Sequence, residues 1–331
     1  MGNRSRRTFL QSGSALLAAP ALGSVSQAFA QDKWPSRAVR IVVTFPPGGS
    51  SDIVARILSG PLAERLGQQV VVDNRPGAGG MIGAQIVADA APDGHTFLLS
   101  NTAPISVSPF IYSKVAYDPL KSFSHIAFIG AATTIAVVPA SVPVKTFAEL
   151  VAFTRAAKDP VTFGSSGMGS VGHLVGEFFQ REFKVKLNHI PYKGSAPMIA
   201  DLLGGQVQMS FDTLPQIVPH LKTGALRGLA VTSPRRVGAA PDVPSVVELG
   251  FPRLAAENWI ALSAPAGLPP AIAATLHRYI TEALALPEVG KRFDELSIER
   301  RVMSSADFQK FVRAEVGEYG PVLRAAGIKV D

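Results

Sequence analysis

The chain has 331 residues, 47% hydrophobic and 17% charged, enough apolar material for a sizeable core and a length that favours two lobes over one. Its net charge of +7 overstates its basicity, because the first thirty residues hold Arg4, Arg6 and Arg7 and no acid, leaving a scattered +4 on the rest. That scatter argues against a nucleic-acid partner, and the lack of cysteine excludes disulfides, thiolate metal sites and a cysteine nucleophile.

The first legible segment is a leader. SRRTFLQ (5–11) sets a twin arginine before a modestly apolar stretch (14–25), and AFA (28–30) offers small residues where a signal peptidase reads. Residues 1–30 are therefore expected to be a Tat-type signal cleaved near Ala30, delivering the mature protein to the periplasm. The apolar stretch is too short, and too rich in Gly, Ser and Pro, for a membrane anchor.

Residues 39–44 then read as a strand, 52–66 as a helix, 68–77 (QQVVVDNRPG) as a strand ending in a turn, 79–90 as a helix and 95–100 as a strand. This alternation predicts a parallel sheet with helices on both faces. A second set follows: strand 161–166 (VTFGSS), helix 171–183, strand 186–192 (KLNHIPY), helix 197–204, strand 207–212 (VQMSFD), helix 217–223 and strand 226–233. Val171, Leu174, Val175, Phe178 and Phe179 form one stripe of its first helix. APAGLPP (264–270) reads as a connector back to the first lobe, and amphipathic helices over 272–286 and 306–326 close the chain.

Each set begins with a strand, a glycine-serine loop and a helix. The first loop is FPPGGSSD (45–52), the second GSSGMGS (164–170). A helix N-terminus carries unpaired N–H groups and the positive end of the helix dipole. Glycines let a ligand approach that backbone, and serines add rotatable donors. Two such loops facing each other across a cleft could grip an anion from both sides. A carboxylate suits them better than a phosphate chain, since neither loop carries the lysine of a P-loop.

Two decoys sit in the second loop. Gly167, Gly169 and Gly172 satisfy GxGxxG, but the next strand ends in His189, Ile190, Pro191 and Tyr192, without the acid that would hold a ribose. No cofactor is expected. The six histidines make no HxH or HExxH pair, so no metal is expected either. Ser165, Ser166 and Ser170 with His173 leave a periplasmic Ser/His hydrolase as an alternative, without an acid to orient the histidine. A structural protein with an empty cleft, and a ligand sensor for a signalling system, are further alternatives.

VTFPPGGSSD, VVVDNRPGAGGMIGA, ADAAPDGHTFLL, FGSSGMGSVGHL, IPYKGSAPMIADLLGGQVQMSFD and LRGLAVTSPRRVGAAPDVPSVVELGFP resemble, in unbroken order from about residue 34 to the C-terminus, the tripartite tricarboxylate transporter receptors, or Bug-type solute-binding proteins. The resemblance implies an α/β fold of the two-lobe periplasmic binding protein type (type II), each lobe a mostly parallel sheet flanked by helices, with the ligand cleft between them. Residues 34–136 with 257–331 are expected to form lobe I and 137–256 lobe II. The implied role is non-catalytic delivery of a small carboxylate to inner-membrane tripartite transporter subunits, by a monomer. In such proteins the two loops hold the carboxylate as a pincer. Here the first arm is Phe45, Gly48, Gly49, Ser50 and Asp52, and the second is Ser165, Ser166, Gly167, Gly169 and Ser170, with His173 behind. The family usually shows a third glycine or a threonine where this chain has Ser50 and Ser51. Ser100, Asn101 and Thr102 are expected to border the cleft, Tyr192 and Lys193 to close over the ligand's far end, and Asp212 to accept a ligand amine or hydroxyl. Trp259 is expected in core packing near the crossover, and Met168 as a shield over the loop.

Overall fold

A computed structural model describes residues 34–325, 327, 329 and 330; the expected export leader lies outside them. The path begins on β1 (Val39–Val43), whose VRIVV is buried at all but one position, as a strand covered on both faces must be. α1 (Ser50–Leu66) follows, and stops where Gly67 takes a φ of 64° and its N–H returns to the Ala63 carbonyl, a left-handed cap that glycine takes without a Cβ clash. β2 (Val70–Asn74), α2 (Met81–Ala88) and β3 (Thr96–Asn101) complete the first unit. β1 pairs in parallel with both β2 and β3.

After a π-turn at Ala103–Val107 and the short α3 (Ser108–Ile111), the chain enters β4 (Phe123–Pro139), a 17-residue strand buried along nearly its whole length. Its first part pairs with β9 (Glu257–Pro265) and β10 (Ile298–Arg300), and its last part with β7 (Met209–Thr213) and β8 (Leu226–Val231), all antiparallel. The second unit runs α4 (Phe147–Ala156), β5 (Val161–Ser165), α5 (Val171–Phe183), β6 (Leu187–Pro191), α6 (Ser195–Leu203), β7, α7 (Leu214–Lys222) and β8. β5 pairs in parallel with β6 and β7, repeating the trio of the first unit. α8 (Pro270–Leu284), α9 (Pro287–Glu295) and α10 (Ser305–Ala325) return to cover the first sheet.

The parallel trios match the sequence reading. The antiparallel strands β4 and β9, which join them into one ten-stranded sheet, were not anticipated. The expected connector at 264–270 also needs correction. β9 already pairs with β3, Leu98 opposite Ser263, so the chain has returned to the first half by Glu257. The two crossing segments meet mid-sheet: the Thr232 N–H donates to the Thr134 carbonyl at 2.8 Å, and the Ala256 N–H to the Thr232 carbonyl at 3.2 Å.

Helices on both faces of each half enclose separate cores. In the first half, Val54, Leu58, Leu276 and Phe293 pack on one face, and Met81, Trp259, Phe308 and Val312 on the other. In the second, Phe147, Phe163, Phe179 and Phe183 pack on one face, and Met198, Leu202, Val207 and Ile217 on the other. Each such side chain contributes roughly 1.5–3 kcal/mol on burial, so the sheet edges above these cores are rigid platforms. Trp259 is wholly buried and its indole N–H donates to Glu315, in agreement with a packing role.

Candidate functional site

The two glycine-serine loops meet at one cavity of about 480 Å³, mouth included. Phe45, Pro46, Gly49, Ser50, Ser51, Ala103 and Asn258 line it from the first half, and Ser166, Ser170, Val171, Gly172, Gly194, Ser195, Asp212 and Thr213 from the second. The starts of α1, α5, α6 and α7 all lie in that wall, and α1, α6 and α7 begin without a side-chain cap. Their first N–H groups are left for another acceptor. Among the described residues lining the cavity there is no Lys or Arg.

The first loop is shaped from below. Gly48 sits at φ 83°, in the left-handed region, and its N–H donates to Asp52 Oδ2 at 2.9 Å. The same carboxylate accepts from Arg56 Nε at 3.0 Å and from Asn74 Nδ2 at 3.0 Å, while Asn74 Nδ2 also donates to the Phe45 carbonyl. Burial alone would raise the Asp52 pKa, but Arg56, the Gly48 N–H and Asn74 together hold it below the ordinary value. Asp52 therefore fastens the loop and does not line the cavity. The helix cap is Gly49, with Asp52 reaching back from the first turn as in half of a capping box.

Two serines of the first loop line the cavity. Ser50 Oγ accepts from Asn258 Nδ2 at 3.0 Å and Ser51 Oγ from Asn101 Nδ2 at 3.0 Å. With their oxygens so engaged, the O–H groups are free to donate to an acceptor-only ligand.

The second loop rests on stacked rings. His173 lies on His189 with centroids 4.3 Å apart and planes at 8°, and His189 on Phe163 at 4.6 Å. The Gly169 N–H donates to His173 Nδ1 at 3.2 Å, and Ser165 Oγ is bonded to His189 Nε2 at 2.7 Å. Burial, with His189 alongside, pushes His173 down to about 3, and burial pushes His189 down to about 4, so both are neutral at neutral pH. Ser170 caps α5 by accepting the His173 N–H. Gly172 is a packing residue, since a Cβ there would stand 2.0 Å from the Phe211 carbonyl oxygen of β7. The GxGxxG match thus falls on a loop and a tight helix–strand contact.

A third loop of the same build joins the second. The Tyr192 and Gly194 N–H groups donate to the Ser165 and Ser166 carbonyls, and Gly194, at φ 110°, leads into Ser195 and α6. At the end of β7, Asp212 Oδ1 accepts the Thr213 N–H at 2.8 Å. Asp212 Oδ2 has no partner at hydrogen-bonding geometry among the described residues. Burial raises the Asp212 pKa to about 6, against the Ser195 hydroxyl and the Thr213 N–H.

Of the residues expected at the site, Phe45, Gly49, Ser50, Ser166, Ser170 and Asp212 line the cavity. Gly48, Asp52, Ser165, Gly169 and His173 shape the loops behind it. Gly167, Met168, Tyr192 and Lys193 line an outer groove that shares Phe45, Pro46, Ser166 and Gly194 with the cavity. The Tyr192 hydroxyl turns away to Asp201 at 2.7 Å. Ser100 is bonded to Ser263 inside the sheet, and Thr102 ties β3 to β9 through Trp259 N and the Glu257 carbonyl; neither lines the cavity. The sequence reading missed Ser51, Ser195, Thr213 and Asn258 as lining residues. YKGS (192–195), a third strand–glycine–serine–helix junction, was a signal for Ser195. Asn258 had none, because only strand pairing brings it to the first loop.

Fold and cavity together define a two-lobed solute-binding protein. The model of the tripartite tricarboxylate transporter family receptor matches residues 54–328, and the chain belongs to that family. It is 35% identical over 311 residues to Protein BugT of Bordetella pertussis, covering 94% of this chain and 95% of that protein. Among solved structures, R. palustris Rpa4515 with adipate matches at TM-score 0.85 and 34% identity, covering 89% of this chain and 99% of that one. MatC from Rhodopseudomonas palustris with bound malate matches at TM-score 0.82 and 30% identity, covering 87% and 99%.

Proposed function

We propose that the protein is a non-catalytic periplasmic receptor that closes on a small carboxylate and presents the closed form to the membrane subunits of a tripartite transporter. Residues 34–136 with 257–331 act as one lobe and 137–256 as the other, hinged where Thr134, Thr232 and Ala256 cross. The observation that carries this reading is the convergence of four helix starts and five serine hydroxyls, from both halves, on one cavity. A carboxylate there would be held by charge-assisted hydrogen bonds from N–H and O–H groups without a cation. Adipate and malate, the acids in the two solved relatives, belong to this class. Export by the twin-arginine leader and a monomeric state complete the proposal.

The geometry speaks against the hydrolase alternative. Ser170 Oγ accepts the His173 backbone N–H, while His173 Nδ1 accepts from the Gly169 N–H and so is not the base bonded to that serine. Ser165, the serine that meets a histidine, is fully buried and does not line the cavity.

A thermal-shift screen of mono-, di- and tricarboxylates, aromatic acids and acidic amino acids tests the receptor reading. At least one acid should raise Tm saturably, by an amount equivalent to about 2.7 kcal/mol at a hundred times its Kd. No shift with any acid, or covalent labelling of Ser165, Ser166 or Ser170 by a serine-reactive phosphonate, overturns it.

A further inference from the structure

Both serines of the first loop are held by an asparagine, and both asparagines lead back to one acid. Asn258 Nδ2 donates to Ser50 Oγ, and Asn101 Nδ2 to Ser51 Oγ. Asn258 is followed by Trp259, whose indole N–H donates to Glu315 Oε2 on α10. Asn101 Oδ1 accepts the Ala103 N–H at 3.1 Å. Ala103, itself in the cavity wall, opens the π-turn that contains Ser106, whose hydroxyl donates to the same Glu315 oxygen. Thr102 Oγ1 joins the two routes, donating to the Glu257 carbonyl at 2.9 Å and accepting the Trp259 N–H at 3.0 Å. Ser106 and Trp259 are wholly buried, so without Glu315 two donors would be stranded away from water, at a cost. The π-turn is itself an infrequent form that concentrates at functional sites.

We infer that Glu315 is a positioning residue for the cavity: from behind the first half it clamps the π-turn to β9, and so sets the Asn101 and Asn258 amides that hold Ser51 and Ser50. Its effect on affinity rests on the receptor reading; the clamp itself does not. Phe308 and Phe311 meet the Trp259 ring edge-on at 5.9 and 6.1 Å, which fixes the indole but makes no hydrogen bond to the π-turn. One oxygen accepting from both segments holds them within hydrogen-bond reach of each other. Burial raises Glu315 to about 7, against the Ser106 and Trp259 donors and with Glu257 and Glu318 alongside. The neutral carboxyl is therefore well populated near neutral pH, and its carbonyl oxygen still has two lone pairs for the two donors. Glutamine reproduces that form, and leucine removes the acceptor.

The first test needs no ligand. Hydrogen–deuterium exchange of the free protein, read by mass spectrometry, is compared among wild type, Glu315→Leu, Glu315→Gln and Ser106→Ala. In Glu315→Leu the peptide carrying residues 45–56 should exchange about threefold faster or more, although it makes no contact with the altered side chain. Glu315→Gln should restore the wild-type rate. Ser106→Ala, a change small enough to leave the fold in place, should move the same peptide in the same direction, and decides the matter if the leucine variant does not fold. Faster exchange confined to α10 and the π-turn, or a glutamine variant as loose as the leucine one, overturns the inference. Calorimetry with malate and adipate then reads the consequence for binding. For an acid that binds the wild type, Glu315→Leu should weaken affinity about tenfold and Glu315→Gln should leave it unchanged. In an Asn258→Ala background the loss from Glu315→Leu should shrink, because both changes act through the same amide; a fully additive loss overturns the positioning route. Failure of every acid in the thermal screen is a different result: it overturns the receptor reading and leaves the exchange measurement to judge the clamp.

Discussion

Gln216 Nε2 donates to the Gly48 carbonyl at 3.1 Å, a bond between residues 168 positions apart that ties the first loop, next to the lining residue Gly49, to α7, next to the lining residue Thr213. Gly48 belongs to the first-half loop and Gln216 to α7 of the second half. Both main-chain groups of Gly48 are thereby used, its N–H holding Asp52 and its carbonyl holding the opposite wall.

Gln216→Ala should weaken ligand binding several-fold, in keeping with the roughly 0.5–1.5 kcal/mol of one neutral hydrogen bond, and leave the fold intact. The loss should fall on the dissociation rate, because the bond exists only while the two walls are together. Stopped-flow release measured beside calorimetry checks this. An unchanged release rate would mean that the bond does not contribute to closure.

Gly49→Val tests the first arm. Gly49 has an ordinary φ of −73°, and a Cβ there would meet Pro46 O at 3.5 Å and Phe45 Cβ at 4.0 Å, ordinary contact distances. The fold should tolerate the change, with the free-protein Tm within a few degrees of wild type. Because Gly49 lines the cavity, the branched side chain should block approach to the start of α1 and abolish binding. Calorimetry reads the loss, and retained affinity would remove the first loop from the site.

The parts of the site that could be read in the sequence were those marked by punctuation. Pro46, Pro47, Gly48 and Gly49 between an apolar run and a helical stripe, and Gly167 and Gly169 in the same position later, announce tight strand-to-helix turns because few other residues allow them. β4 has no such marks. Apart from His125 its seventeen residues are apolar or small, with Gly130 near the middle, so neither alternation nor a turn signals a strand that serves two half-sheets. Asp52 reads as a ligand group until its partners are placed: Arg56 stands one turn along the same helix, a pairing the sequence spacing already allows, but Asn74 reaches the carboxylate only once α1 and β2 lie side by side. Tyr192 was placed over the ligand by its position, but Asp201, one helix along, takes its hydroxyl.

The stacked histidines predict an acid limb. His173 and His189 have folded-state pKa values of about 3 and about 4 against an ordinary 6.5. The unfolded chain therefore binds their protons at higher pH than the native one does. Their contribution to stability is complete above pH 6.5 and is lost as pH falls toward 4. Glu177, 3.7 Å from His173 Nε2, gives little compensation, because burial raises its own pKa. Asp212 and Glu315, raised by burial to about 6 and about 7, have the opposite sign, losing stability as pH rises through those values, and so mute the total. A difference measurement isolates the histidines: between pH 6.5 and 4, urea-unfolding free energies of His189→Gln should fall less steeply than those of the wild type. Parallel curves would show that His189 does not titrate between the two states.

Gly172→Ala separates packing from nucleotide binding in the second loop. The added methyl would stand 2.0 Å from the Phe211 carbonyl oxygen, backbone of a central strand that cannot move aside, so α5 must lift from β7. Overpacking of this kind costs roughly 1–3 kcal/mol, and it displaces Ser170 and Val171, two lining residues on the same turn. Chemical denaturation should show the loss of stability and calorimetry a weaker affinity for the acid ligand, while a nucleotide such as ADP should give no heat with the wild type or the variant. If the nucleotide bound the wild type and Gly172→Ala abolished that binding without lowering stability, the glycine would have to be reassigned from helix packing to a phosphate cradle.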